Sequence, residues 1–275
     1  MRAGPRDPLL RADLANLELD EAVRRRAVVP FLPAGAALCR RTAARLHGID
    51  LRMPHERGVP LPLEVAVQIG TEPLSRSGIV AHVCDLRDDV TVLDGVPVTT
   101  LRRTLLDIAR FAPRPIALAV LDRAAAAGTL EREELLEALT TMKGQRFVAQ
   151  ARQLIRLADA GAESPYESMC RLRIVDGGFP PPQTQVRVPR PGGRRPYRLD
   201  MAWPERRKAV EYDGVEDHDG AAARAHDEAR RAYLRGEGWE VLVVGKGEVL
   251  GTAQHFEHAL AGLLGLPWNG RRRSW

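Results

Sequence analysis

The sequence predicts an α/β chain of the α+β kind, with helices and strands gathered into two parts of different rhythm. Three observations predict it. The chain has 275 residues, long enough for two cores rather than one. Short runs of Val, Ile and Leu bounded by Gly and Pro alternate with stretches of helical periodicity. After AGAESP at 160–165 the order becomes α-β-β-β-α-β-α, with connections between the first three strands too short for crossovers. On this reading 1–38 is a partly helical leading segment, 39–158 a mixed α+β domain, and 159–275 a second domain built on a mixed sheet.

The leading segment is polar, and a helix is expected over Asp13–Arg26. A second helix runs from Cys39 to His47, with Gly48 placed to stop it. VPLPLEVAVQIG, GIVAHVCDL and DVTVLDGVPVTT read as β segments. Leu101–Ala109 and Ile116–Ala127 read as helices parted by Pro113 and Pro115. Thr129 opens another helix over Glu131–Thr140, and Phe147–Ala160 is a further helix that bridges the halves.

The second half opens with strong start signals. Ser164 can cap a helix over Ser164–Val175, with Pro165 in the first turn and Glu167 three residues on, and Gly177 and Gly178 end it. Strands follow at Thr184–Val188, Tyr197–Trp203 and Lys208–Asp213, expected as an antiparallel meander. Asp219–Arg235 is a helix stopped by Gly236 or Gly238. Trp239–Val244 reads as a fully buried strand, and Glu248–Leu264 as one last helix.

Composition narrows the function classes. Aromatic residues are only 5%, so the cores must be aliphatic. A net charge of +5 and a pI near 9.5 fit a nucleic-acid partner, although the excess is spread over both halves rather than held in a basic tail. Cys39, Cys84 and Cys170 lack CxxC spacing, so they read as small buried hydrophobes rather than a disulfide framework or zinc site. The N-terminus has no apolar signal core, and no stretch approaches the ~20 apolar residues of a membrane span. The expectation is a cytoplasmic protein with no membrane attachment and no small-molecule cofactor.

Chemistry concentrates in the second half. Asp200 in YRLDMAW and Glu211 in KAVEYDG are carboxylates inside apolar strands, where an unpaired carboxylate is costly. Glu211 and Asp213 share one side of their strand. If that strand pairs with its predecessor across the short 204–207 turn, Asp200, Glu211 and Asp213 converge. Such hard oxygen donors suit Mg²⁺ or Mn²⁺ better than zinc. The competing reading is a sheet-edge carboxylate that is solvated or paired with Arg198, Arg206 or Arg207. Downstream, Arg224, Glu228, Arg231 and Arg235 can form one helical stripe. That stripe is either a phosphate-contacting face or an internally paired one. Arg271, Arg272 and Arg273 are either phosphate contacts or an inert basic tail.

The run RLDMAWPERRKAVEYDG, the helix after it, GWEVLVV, and the opening ESPYES resemble the Vsr-like (very-short-patch-repair-like) branch of the PD-(D/E)xK nuclease superfamily, over about 160–250. The resemblance implies a restriction-endonuclease-like core. It implies that Asp200 and Glu211 bind metal, that the Tyr212 carbonyl adds a ligand, and that Glu167 is an acid of the first helix. Glu167 is also the capping-box partner of Ser164. Two departures stand out. The usual lysine two residues after the second acid is Asp213, so its role is unfilled. The usual histidine position holds Asp217, with His218 beside it as a displaced general acid or base, or else a solvated loop residue.

RRTAARLHGID followed by DGVPVTTLRRTLLDIAR resembles the middle section of AbiEi-type antitoxin proteins. There a winged helix usually precedes this section, and the residues before Cys39 are too few for a complete one. His47 sits before a helix-ending glycine and reads as structural. Two functions follow from the resemblances: a Mg²⁺-dependent DNA endonuclease, or a DNA-binding or antitoxin-like interaction protein with an inactive nuclease fold and a toxin as conceivable partner.

Overall fold

The computed structural model describes residues 21–49, 51–53, 56, 59–72, 75–86, 88–214 and 221–273. The chain is a mixed α+β protein whose contacts divide it into two units: residues up to 112 with 131–155, and residues 113–130 with 156–275. Among the described residues no helix is long and apolar enough to cross a membrane.

The first unit holds α1 (Glu21–Val28), β1 (Ala37–Leu38), α2 (Arg40–Leu46), β2 (Leu63–Gln68), β3 (Ile79–Cys84), β4 (Val90–Leu93), β5 (Val96–Thr99) and α3 (Leu101–Phe111). The expected helix over Asp13–Arg26 falls partly outside the described residues. The sheet order is β3-β2-β1-β5-β4. β4 and β5 are an antiparallel hairpin closed by Asp94 and Gly95, both at positive φ (51° and 76°), the pattern that matches strand twist in a two-residue turn. The central strand β1 was not anticipated, because two residues carry no alternation. Leu38, Val65, Val67 and Val98 are buried, each stabilising by roughly 1.5–3 kcal/mol. His47 Nε2 meets the Thr99 carbonyl at 2.8 Å, a structural contact as expected.

After α4 (Arg114–Ala126), which groups with the second unit, come α5 (Arg132–Thr141) and α6 (Val148–Leu157). The second unit continues with α7 (Pro165–Asp176), β6 (Gln183–Val188), β7 (Tyr197–Trp203), β8 (Lys208–Tyr212), α8 (Ala221–Gly236), β9 (Glu240–Val244), α9 (Lys246–Leu250) and α10 (His255–Leu264). Ser164 caps α7 as expected, its Oγ accepting from the Glu167 N–H at 3.2 Å. The sheet order is β6-β7-β8-β9, with β6, β7 and β8 antiparallel and β9 parallel to β8.

Two expectations are corrected. The strand expected over Trp239–Val244 is not fully buried: β9 is an edge strand, with Glu240 exposed and Val243 43% exposed. An apolar run records low polarity but not the sheet position, and an edge leaves one flank uncovered. The single last helix is two, because the chain breaks between Gly251 and Gln254. The freed carbonyls face the fully buried Arg173, whose guanidinium donates to the carbonyls of Glu248, Val249 (3.1 Å), Gly251 (2.7 Å) and Ala253 (2.6 Å). Cys39 and Cys170 are buried free thiols and Cys84 is a half-buried one.

Helices α4 and α7 are clamped by two buried ion pairs, Arg114 to Asp176 (2.6 Å) and Arg171 to Asp122 (2.7 Å), with every side chain at most 4% exposed. Removing one partner of such a pair typically costs about 3–5 kcal/mol. A fragment starting at residue 159 therefore loses Arg114 and Asp122 and leaves two buried charges unmatched. It is expected to be unfolded or aggregated, whereas 113–275 gives a cooperative thermal melt. Equal melting of both fragments would show that the clamp contributes little.

Candidate functional site

The site is built on one row of the second sheet. β7 and β8 pair Met201 with Val210, Ala202 with Ala209 and Trp203 with Lys208. One step further along that register sets Asp200 opposite Glu211. On the other side, β6 pairs Thr184 with Met201 and Val186 with Leu199, so Gln185 stands opposite Asp200. Glu211 in turn pairs with Val243 of β9. Gln185 has a left-handed backbone (φ 53°), which a residue with a β-carbon rarely adopts.

From α7, Glu167 reaches this row. Its Oε2 accepts from Gln185 Nε2 at 3.3 Å and from the Glu163 N–H at 3.0 Å. Asp200 Oδ2 accepts from the Tyr212 N–H at 3.0 Å. Arg230 of α8 forks Glu211: Nη1 donates to Oε2 at 2.8 Å and Nη2 donates to Oε1. A cleft of about 430 Å³ opens over these groups, lined by Asp200, Glu211, Tyr212, Asp213, Asp227 and Arg230, with Arg231 and Val243 at its side.

The electrostatics follow from more carboxylates than cations. Burial first, then Glu167 and Glu211, raise the pKa of Asp200 to about 6 against the opposing Tyr212 N–H and Arg230. Burial likewise raises Glu167 against the Glu163 N–H. Arg230 is raised, chiefly through its hydrogen bonds to Glu211. Among the described residues, no group of three or more His, Cys, Asp or Glu side chains is arranged to hold a metal ion. The donors are the hard oxygens Mg²⁺ favours, but both Glu211 oxygens are on Arg230 and one Asp200 oxygen is on Tyr212. As arranged, the set does not fit a metal.

Of the residues singled out from the sequence, Asp200, Glu211, Tyr212 and Asp213 line one cleft, and Glu167 reaches the same row through Gln185. Glu167 accepts the Glu163 N–H, one residue ahead of the Ser164 cap, where a capping box would use the N–H of the cap itself. His218 lies outside the described residues, and so does the side chain of Arg224. Arg231 and Arg235 are exposed, and neither pairs with a carboxylate among the described residues. The cations suggested as partners for the strand acids go elsewhere: Arg198 to Glu163, Arg206 to the Leu264 carbonyl, Arg207 to the Glu237 carbonyl. Lys208 pairs with Glu240. Arg272 turns inward, its Nε 3.5 Å from Glu257. Sequence reasoning missed Arg230, Gln185 and Asp227. Arg230 is one residue off the arginine stripe, and nothing local marks which face of α8 meets the sheet.

Residues 36–157 match the family described as the AbiEi antitoxin C-terminal domain. Two uncharacterized proteins from two strains of Mycobacterium tuberculosis are each 33% identical over 230 residues, covering 84% of this chain and 82% of the relative. No solved structure matches. The family match ends at residue 157, so the likeness of 160–250 to Vsr-like nucleases rests on the residues quoted for it.

The Asp200 shift sets a pH dependence. Its folded pKa of about 6 lies above the ordinary value of about 3.9, so the unfolded chain releases this proton first. Stability from this group is present below pH ~4 and is lost as pH rises through about 6. Asp200→Asn is therefore expected to match the wild type at pH 4 and to melt higher above pH 7. A melting difference that is flat with pH would show that Asp200 does not carry the shift.

Proposed function

The chain belongs to the family of these mycobacterial proteins, and on that premise we propose an antitoxin-class interaction protein that associates with DNA and whose second unit is built like a nuclease but does not cut. One observation carries the reading: Arg230 occupies both oxygens of Glu211, placing a fixed guanidinium where a metal would need that carboxylate. Asp213 stands where the wider nuclease superfamily usually has a lysine; Glu-x-Asp-Gly is common in the Vsr-like branch, but the lysine's role is left unfilled. Exposed Arg231 and Arg235, beside the acid cleft, supply phosphate contacts. The AbiEi-type segment over 36–157 is the part offered to a toxin partner.

A second reading is favoured by a different observation. Asp200 is raised by burial and then by Glu167 and Glu211, and these three carboxylates carry more negative charge than Arg230 offsets. That is a demand for a cation. This reading requires a rearrangement: Arg230 would have to release Glu211 before Asp200, Glu211 and the Tyr212 carbonyl could hold Mg²⁺ or Mn²⁺. The bound ion would supply Lewis-acid chemistry at a DNA phosphodiester, with Glu167, Asp213 and His218 around it.

One pair of assays separates the two. Supercoiled plasmid mixed with the full chain and either ion is expected to remain uncut. In a gel shift at one stated salt concentration, Asp200→Ala is expected to bind DNA as well as the wild type or more tightly, having lost a negative charge from the cleft. Replacing both Arg231 and Arg235 with Ala is expected to weaken binding and to reduce the salt slope by about 1.8, or ~0.9 per phosphate contact. Nicking by the wild type that needs metal and disappears in Asp200→Ala would sink the proposal in favour of the second reading.

A further inference from the structure

The first unit carries a surface that none of the foregoing uses. Two of the chain's five phenylalanines meet there: Phe111, the last residue of α3, and Phe147, just before α6. Their rings pack edge to face at 5.9 Å, yet they are 37% and 47% exposed. A chain so poor in aromatics would bury them if packing were their role.

Guanidiniums surround the pair. Arg40 and Arg110 place their Cζ atoms 4.9 Å and 4.6 Å from the Phe111 centroid, and Arg146 lies 5.1 Å from that of Phe147. Arg110 is almost buried and ties the 142–147 loop to α3 by donating to the Arg146 carbonyl (3.3 and 3.2 Å) and Gln145 Oε1 (3.1 Å). Among the described residues, none of these three guanidiniums pairs with a carboxylate. Burial lowers the pKa of Arg110; Arg103 and Arg40 add to that, while Asp107 opposes it. The loop itself, MKGQRF, adds exposed Lys143 and no acid. Arg40 and Phe147 both sit at positive φ (47° and 62°), a strained backbone for residues with a β-carbon.

Flat apolar rings beside guanidiniums that no described carboxylate pairs directly match a ligand that alternates flat bases with anions. A duplex hides its base faces, and the carboxylates of an acidic peptide offer no aromatic faces to the rings. We propose that the Arg40–Phe111–Phe147 surface, with Arg146, binds single-stranded nucleic acid, its unpaired bases against the rings and its phosphates on Arg40 and Arg146, while Arg110 holds the loop in place. This inference rests on the nucleic-acid-associated reading above, and it moves the contact for unpaired strands to the AbiEi-type segment.

The test is fluorescence anisotropy of the full chain with labelled oligo-dT, oligo-U and a duplex of the same length, over a salt series. Both single strands are expected to bind more tightly than the duplex, and the oligo-dT and oligo-U arms show whether DNA or RNA is preferred. Phe147→Ala is expected to weaken single-strand binding roughly 5- to 150-fold with little change in salt slope, and Phe147→Trp to keep it. Arg146→Gln is expected to lower the slope by about 0.7. Binding that favours the duplex and ignores Phe147→Ala overturns the site but leaves the DNA-associated reading standing. Binding to neither strand nor duplex overturns both. Preference for oligo-glutamate, lost in Arg146→Gln but not in Phe147→Ala, overturns the site in favour of a protein partner.

Discussion

The second unit depends on one buried cation. Arg173 has no access to water, and an isolated charge there would cost several kcal/mol. It is held by a two-pronged pair with Glu257, both N–O distances 2.8 Å, and by four carbonyls from the α9–α10 segment. Satisfying that guanidinium stops α9 after Leu250, sends the chain through a turn, and restarts it as α10, whose Glu257 completes the pair. The same helix α7 carries Arg171 and Asp176, each locked to α4. Three ion pairs with almost no exposed surface thus fix one helix on several sides. Glu167, one turn in from its capped start, inherits that position.

The candidate site follows from the frame. With α7 immobile, Glu167 is held near the row that contains Gln185, Asp200 and Glu211. A row of carboxylates in a half-covered cleft cannot remain fully charged without cations, so protons, arginine or metal must compensate. Here the first two share the work: Asp200 takes up its proton easily, and Arg230 takes Glu211.

Backbone strain sits at the two surfaces singled out for function. Five non-glycine residues among those described have positive φ. Asp94 and Arg207 are in tight turns, where the geometry is ordinary. Gln185 lies in the acid row, and Arg40 and Phe147 lie on the aromatic surface. Strain persists only where surrounding contacts enforce it, and these three are held by Glu167, by Phe111 and by the loop anchored on Arg110.

Much was legible before any fold was known, because it is written in near neighbours. The cap at Ser164, the strands at 197–203 and 208–212, and the turn joining them follow from adjacent residues. Once two strands share a four-residue connection, Asp200 and Glu211 must face each other. AbiEi-like character was visible in RRTAARLHGID and DGVPVTTLRRTLLDIAR for the same reason. What sequence could not supply was set by partners far along the chain: Arg114 with Asp176 is 62 residues apart, and Arg173 with Glu257 is 84. Those pairs place α4 with the second unit and break the last helix, where local periodicity read one helix and another grouping. Arg230 was missed because periodicity names the stripes of a helix but not the one that meets the sheet. The edge position of β9 was missed because hydrophobicity measures a strand and not its neighbours. Propensity acts over a turn or two, whereas burial and charge pairing are decided only when distant segments close on each other.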